Sequence, residues 1–289
     1  MDQENAHRRP NKSPRSLKLG RIQLQTKSLA ISYITPPSRS DRSTDLVVFV
    51  NNIDTSRRIW HATVKELLLQ TPSPIAILLY DRYGYGDSDK PATQKIFNHD
   101  IRDSVDDLHE IIALFCTDYL HTSFSPQNMH LTIVAGSIGC MISRLYADKF
   151  PRTVSNLLLL DHGPILQDCP IPDPTTTSVT FPEGITAAML RDARDKYYKG
   201  AYFHLAPNRE RMSWKCLTEI LRRPDTPSLK HPDGLGGPFI TVLMHDGPTY
   251  AKQLSQVRSF DFHSTPFFFA FPFDSPTDPR LIYGLETGI

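Results

Sequence analysis

Long apolar runs that do not alternate with polar residues constrain this chain more than any other feature. They are Leu46-Val47-Val48-Phe49-Val50, Ile75 to Tyr80, Leu131-Thr132-Ile133-Val134-Ala135, Leu157 to Leu160 and Phe267 to Phe271. A strand with one wet face shows a period of two, so a continuous run implies a strand covered on both faces, as in a parallel sheet. Between the runs lie helical patterns. The clearest has Ile101, Val105, Leu108, Ile112 and Phe115 at steps of three and four, with Asp103, Asp106 and Asp107 facing away. Strand and helix thus alternate, which predicts an α/β fold with a mostly parallel, doubly wound sheet and right-handed crossovers.

The flanks read differently. Residues 1–18 are polar and basic, with Arg8, Arg9, Lys12, Arg15 and Lys18 interrupted by Pro10 and Pro14, and are expected to form a disordered tail. From Arg21 the sequence alternates through Ile22-Gln23-Leu24-Gln25 and Leu29-Ala30-Ile31-Ser32-Tyr33-Ile34, the period of an antiparallel opening hairpin. A first part of the core is expected over 19–164. Between 165 and 260 the regularity breaks: Pro-rich loops such as Pro170 to Pro174 separate helical patterns near 185–199, 212–222 and 247–259. No strong strand is expected there until Phe267. The segment reads as an inserted helical cap, followed by a last part of the core over 261–289.

With 289 residues the chain can bury most of its surface, and its formal net charge of +1 gives no reason to expect a nucleic-acid partner. The apolar runs are far shorter than the roughly 20 residues that cross a bilayer. Cys116, Cys140, Cys169 and Cys216 form no C-x-x-C pair, and no apolar signal-peptide segment opens the chain. A reducing, cytosolic setting is therefore expected. The histidines show no metal-ligand spacing, and neither metal nor cofactor is expected.

Chemistry concentrates at Ser137. The run Leu131 to Ala135 leads into Gly136-Ser137-Ile138-Gly139, and a helical pattern with Ile142, Leu145, Tyr146 and Lys149 follows. A serine on a strand-to-helix turn is ordinarily a cap residue. Small residues at Ala135 and Gly139, however, are what a sharp nucleophile elbow needs, since backbones pass closely there and the hydroxyl stands exposed at the carboxyl edge of the sheet.

Together with Val47 to Ile53 before Trp60, and Asp81-Arg82-Tyr83-Gly84-Tyr85-Gly86-Asp87-Ser88-Asp89, the elbow makes the chain resemble the α/β-hydrolase family over roughly residues 20–165. The resemblance implies a serine nucleophile at Ser137. It also implies an oxyanion hole made by the backbone N–H groups of Ile53 and Ile138. Where the family commonly has His-Gly after the first central strand, this chain has Asn51-Asn52. Asp81 to Asp89 matches the family's D-R-x-G-x-G-x-S-D loop, whose glycines turn the chain and whose charges tie it down, and it reads as structural.

The resemblance maps the orienting carboxylate to Asp274, after the run Phe267 to Phe271. Asp278 and, after Leu157 to Leu160, Asp161 stay open. The family's histidine follows one further strand, and only Ser275 to Ile289 remain, without a histidine. The closing strand and helix are therefore expected to be missing. Three explanations stay open: a chain cut or altered near its end, a histidine supplied from elsewhere (His162, His245 or His263), or a non-catalytic descendant. Loss of the closing elements would expose an apolar sheet edge, through which a homodimer is expected.

The leading functional expectation is a serine hydrolase acting on a small apolar ester, lactone or related acyl compound. Tyr197, Tyr198, Tyr202, Phe203 and Trp214 in the cap give the apolar character, and ordinary helix packing accounts for them equally well. Epoxide and haloalkane hydrolysis in this family use an aspartate nucleophile, so Ser137 argues against both. The alternative is a non-catalytic α/β-hydrolase-like protein that binds a small apolar ligand.

Overall fold

A computed structural model describes residues 16–37, 43–53, 55–71, 74–91, 99–160, 173–175, 185–203, 209–210, 212, 229–231, 233 and 236–244, with the backbone alone for 196–203. The sheet holds β1 (Lys18–Gln23), β2 (Ser28–Ile34), β3 (Thr44–Val50), β4 (Ala76–Tyr80), β5 (Met129–Gly136), β6 (Asn156–Leu160) and β7 (Phe239–Leu243). Their order across it is β1-β2-β4-β3-β5-β6-β7. The opening hairpin β1–β2 and the β2–β4 pair are antiparallel, and every other pair is parallel. The α/β class and the doubly wound parallel sheet stand as the apolar runs implied.

Both faces of the central strands are covered, which explains why those runs do not alternate. Val48, Val50, Leu78, Tyr80, Leu131, Ile133 and Ala135 point to one face, where α2 (Ile101–Tyr119) and α3 (Ile138–Lys149) cover them. Phe49, Ile77, Leu79 and Val134 point to the other, against Trp60 of a short 3-10 turn and Val64 of α1 (His61–Gln70). Helix α2 begins with a reciprocal cap: the Asp100 carboxylate accepts from Arg102 N at 2.6 Å, and the Asp103 carboxylate accepts from Asp100 N at 2.6 Å. This satisfies backbone donors that a helix start leaves open.

Three expectations need correction. Strand β1 starts at Lys18, inside the segment read as a tail. Strand β7 lies within the stretch expected to hold no strand before Phe267; it pairs parallel to β6 with Leu160 opposite Leu243. It is a half-covered strand whose Phe239 and Ile240 are exposed, so it lacks the buried run that marks a central strand. Asp107 does not face away but is buried, because Lys27 from the β1–β2 turn reaches its carboxylate at 2.8 Å. The helical pattern near 185–199 appears as α4 (Ala187–Phe203). The patterns at 247–259, the run Phe267 to Phe271 and all residues beyond lie outside the described residues, as does nearly all of 212–222.

The Asp107 carboxylate and the buried His99 share a cluster and oppose each other. Burial, with the Lys27 charge, pulls His99 down to about 4, while its Nε2 sits 3.1 Å from Ser104 Oγ. Burial pushes Asp107 up to about 6 despite the Lys27 ammonium. A depressed histidine contributes stability that is complete above its unfolded pKa, near 6.5, and lost as pH falls toward about 4. A raised carboxylate contributes stability that is complete below about 3.8 and lost as pH rises through about 6. The two slopes cancel in the wild type. In Asp107→Asn, stability is expected to fall by roughly 2 kcal/mol between pH 7 and pH 4.5, and in His99→Gln to rise by a similar amount. Urea unfolding at the two pH values checks this, and parallel curves for all three proteins would rule it out.

Candidate active site

Strand β5 ends at Gly136, and the chain turns into α3 through Ser137, whose φ of 52° and ψ of −117° lie where non-glycine residues are strained. The Ser137 side chain makes no capping hydrogen bond, so the ordinary role of a serine at this place does not account for it. Its backbone is pinned instead: the Ser137 N–H donates to the Leu160 carbonyl at 3.1 Å, and its own carbonyl accepts from Cys140 N at 3.0 Å. Ser137 is half-buried at the carboxyl edge of the sheet, at the amino end of α3, whose dipole favours negative charge.

Two glycines make this turn possible. A Cβ on Gly139 would stand 2.6 Å from the Val50 carbonyl oxygen and 3.0 Å from that of Asn51, and one on Gly136 would stand 1.9 Å from Asn52 Oδ1. Helix α3 therefore lies directly on the end of β3, which brings segment 51–53 against the elbow. Gly139→Ala tests this contact. In an ordinary helix the change stabilises by up to about 1 kcal/mol. Here a loss of roughly 1–3 kcal/mol is expected, because both neighbours are backbone. Thermal unfolding reads the sign, and stabilisation would show that α3 and β3 are not in such contact.

Asn51, where the family commonly has histidine, acts as a brace. Fully buried, it donates from Nδ2 to the Tyr80 carbonyl and accepts from Trp60 Nε1 at Oδ1, both at 2.8 Å, tying the ends of β3 and β4 to the 3-10 turn. The Asn52 carbonyl accepts from Thr55 Oγ1 at 3.0 Å and from Arg82 Nη1 at 3.2 Å. The structure thus brings Ser137 and Ile138 of the elbow beside the 51–53 segment that carries Ile53; Ile138 is buried and Ile53 partly so.

Asp274, Asp278, Asp161, His162, His245 and His263 lie outside the described residues. The described histidines with hydrogen bonds have partners away from the elbow: His61 at Ser32, His99 at Ser104, His109 at Tyr146 and His231 at Asp233. Among the described residues no group of histidine, cysteine and carboxylate side chains is arranged to hold a metal ion, and no helix is long and apolar enough to cross a membrane.

The loop Asp81 to Asp89 is built as a structural turn. Gly84 and Gly86 have positive φ, 86° and 51°, and Asp81 at the start of the loop is completely buried. Its carboxylate accepts from the backbone of Arg57 at 2.6 Å and of Asp87 at 2.8 Å and forms an ion pair with the Arg57 guanidinium. What sequence reasoning missed is Arg82, whose guanidinium reaches the carbonyls of Asn51 and Asn52, and its partner Glu210. The Asp81-Arg82 pair signalled a tied-down loop, but nothing in the sequence indicated a partner so far along the chain.

A mostly parallel sheet whose strand β5 turns sharply into helix α3 through Ser137 defines an α/β protein. The family model described as alpha/beta hydrolase fold matches residues 45–245, and the chain belongs to that family. Its sheet resembles several solved structures at low identity. One is an enantioselective mutant of epoxide hydrolase from Aspergillus niger, 12% identical with a TM-score of 0.45 over 71% of this chain and 47% of that one. Another is epoxide hydrolase A from Mycobacterium thermoresistibile, 16% identical, TM-score 0.40, over 55% and 43%. A third is E-2-(acetamidomethylene)succinate hydrolase, 20% identical, TM-score 0.38, over 52% and 46%. This chain spans less than half the length of each. No curated protein matches the sequence.

Proposed function

We propose that the chain is a serine hydrolase of small apolar esters, lactones or related acyl compounds, with Ser137 as nucleophile. The observation that carries the reading is the backbone of Ser137, held in a strained conformation that leaves its hydroxyl uncapped at the sheet edge. Strain of this kind costs about 1–3 kcal/mol and persists where the surrounding structure enforces it, as at a reacting centre.

In this reading Ser137 Oγ attacks the acyl carbon while a histidine base takes its proton. The N–H groups of Ile53 and Ile138 hold the oxyanion that forms. The tetrahedral species then expels the alcohol, which takes the proton from the histidine, and water repeats the sequence to free the acid and the serine. Asp274 is assigned to orient the base. A serine at position 137 fits acyl transfer and not the aspartate-dependent opening of epoxides. The apolar substrate class rests on the aromatic residues of the 197–214 stretch.

Intact-mass measurement after treatment with a fluorophosphonate serine probe tests the reading, with Ser137→Ala as control. One probe adduct, absent from the control, is the expected result. A cooperatively folded protein that takes up no probe would overturn the hydrolase reading and leave binding of a small apolar ligand in its place.

A further inference from the structure

Arg82 and Glu210 are separated by 128 residues in sequence and form an ion pair with side chains only 3% and 2% exposed. A buried pair is seldom retained for stability, because desolvating two charges offsets most of their attraction. Burial opposes the Arg82 charge, but the Glu210 carboxylate, helped by Tyr85 and Tyr80, holds its pKa above the ordinary value. The guanidinium also lies over the Tyr85 ring, 5.2 Å from its centroid.

What this fixed guanidinium touches is the segment beside the nucleophile. Arg82 Nη1 donates to the Asn51 carbonyl at 2.5 Å and to the Asn52 carbonyl at 3.2 Å. A peptide unit is planar and trans, so a carbonyl drawn toward Arg82 turns the N–H of the following residue the opposite way. The direction of the Asn52 carbonyl therefore sets the direction of the Ile53 N–H. Lysine cannot replace this fork, since a guanidinium presents several donors in fixed geometry and an ammonium does not.

Glu210 in turn is held by the docking of its own segment. The Arg209 carbonyl oxygen would stand 2.4 Å from a Cβ on Gly84, Met212 is completely buried, and Met212 forms a β-bridge with His99. Arg209 and Glu210 are thus seated on the glycine loop at two points, Gly84 and Arg82, and Met212 is tied to His99 beyond that loop.

We propose that Arg82 and Glu210 are positioning residues for the oxyanion loop, and that docking of Arg209, Glu210 and Met212 sets the Ile53 amide for anion binding. The proposal rests on the serine-hydrolase reading for its consequence in catalysis. Its structural half stands apart, since the direction of the 51–53 peptides is a property of the fold. Acyl transfer by Ser137 then requires two distant parts of the chain to be assembled, even though neither Arg82 nor Glu210 touches the substrate.

The test uses the full chain and three substitutions: Arg82→Lys, Glu210→Gln, and Gly84→Ala, which presses on Arg209 without altering either charge. Variants are compared only where thermal unfolding is cooperative, and Gly84→Ala serves if a charge variant fails to fold. With the fluorophosphonate probe, the saturating phosphonylation rate is expected to fall at least tenfold while the probe concentration for half-saturation changes less than twofold. Hydrogen exchange in a peptide covering 50–55 is expected to speed up at least tenfold, with exchange in β4 unchanged. A merely structural pair would leave the phosphonylation rate of the folded protein within twofold and speed exchange everywhere or nowhere, and that result overturns the proposal. If the wild type takes no probe, the hydrolase reading fails, and exchange at 50–55 alone decides the positioning role: selective acceleration upholds it, and its absence overturns it.

Discussion

Asp81→Ala is expected to lower the unfolding free energy by about 3–5 kcal/mol, the range for breaking a buried ion pair from one side. The Asp81 carboxylate is fully enclosed and has several donors at once: the backbone N–H groups of Arg57 and Asp87, and the Arg57 guanidinium. Removing it takes from the Arg57 guanidinium, which is 5% exposed, its buried carboxylate and leaves Ser32 Oγ at 2.9 Å and the more exposed Asp87 carboxylate at 3.0 Å as partners. The loop leans on the same carboxylate from its other end. The Cβ position of Gly86 is 2.0 Å from Asp81 Oδ2, so the turn at 84–86 closes directly over it. Ser88 completes the tie by donating to the Asp81 carbonyl at 2.7 Å and accepting from Ala30 N at 2.8 Å. Urea unfolding of Asp81→Ala, Arg57→Ala and the double variant gives the coupling directly. A coupling above roughly 1.5 kcal/mol is expected for groups in such contact. A loss of less than about 1 kcal/mol for Asp81→Ala would mean that the loop is not held this way.

Much of this architecture was legible because its causes are local. Runs such as Leu46 to Val50 and Leu131 to Ala135 report burial on both faces without reference to the rest of the chain. The turn at Ser137 was legible from the strand run before it, the helical pattern after it and the small residues Ala135 and Gly139 around it, although the contact that requires Gly139, with the end of β3, is not local. Strand β7 was hidden because a strand with exposed Phe239 and Ile240, the last of the sheet among the described residues, has no burial signature to read. Asp107 was misassigned because helical periodicity sorts residues by polarity, and the polar residue was satisfied by Lys27 from 80 positions earlier. Asn51 looks in the sequence like a departure from the family; its work as a brace between Tyr80 and Trp60 exists only once three elements have come together. Glu210 lay furthest from view, since an ion pair across 128 residues leaves no trace in either local pattern.

The largest functional effect is expected at Ser137, and two substitutions there separate chemistry from strain. Ser137→Ala and Ser137→Gly both remove the hydroxyl, so each should reduce phosphonylation or ester hydrolysis by roughly 10³-fold or more, to the level left by binding and the oxyanion hole alone. Their stabilities should also differ, by more than the ordinary preference of a helix start. In helix and strand interiors alanine is more stable than glycine by about 0.5–1 kcal/mol, because glycine loses more freedom on folding, whereas at an ordinary helix N-cap glycine leads alanine by up to about 1 kcal/mol. At φ 52° and ψ −117° an alanine Cβ keeps the strain that the serine Cβ suffers, whereas glycine has none. Ser137→Gly is therefore expected to be more stable than Ser137→Ala by about 1–2 kcal/mol. Thermal unfolding of the two variants measures this without any substrate, so the result does not depend on knowing what the protein hydrolyses. An alanine variant as stable as the glycine variant or more so would show that the elbow is relaxed, and the main reason for assigning Ser137 a chemical role would be lost. A glycine advantage beyond the roughly 1 kcal/mol of an ordinary N-cap would mean that the fold maintains, at a cost in stability, a conformation that presents a hydroxyl.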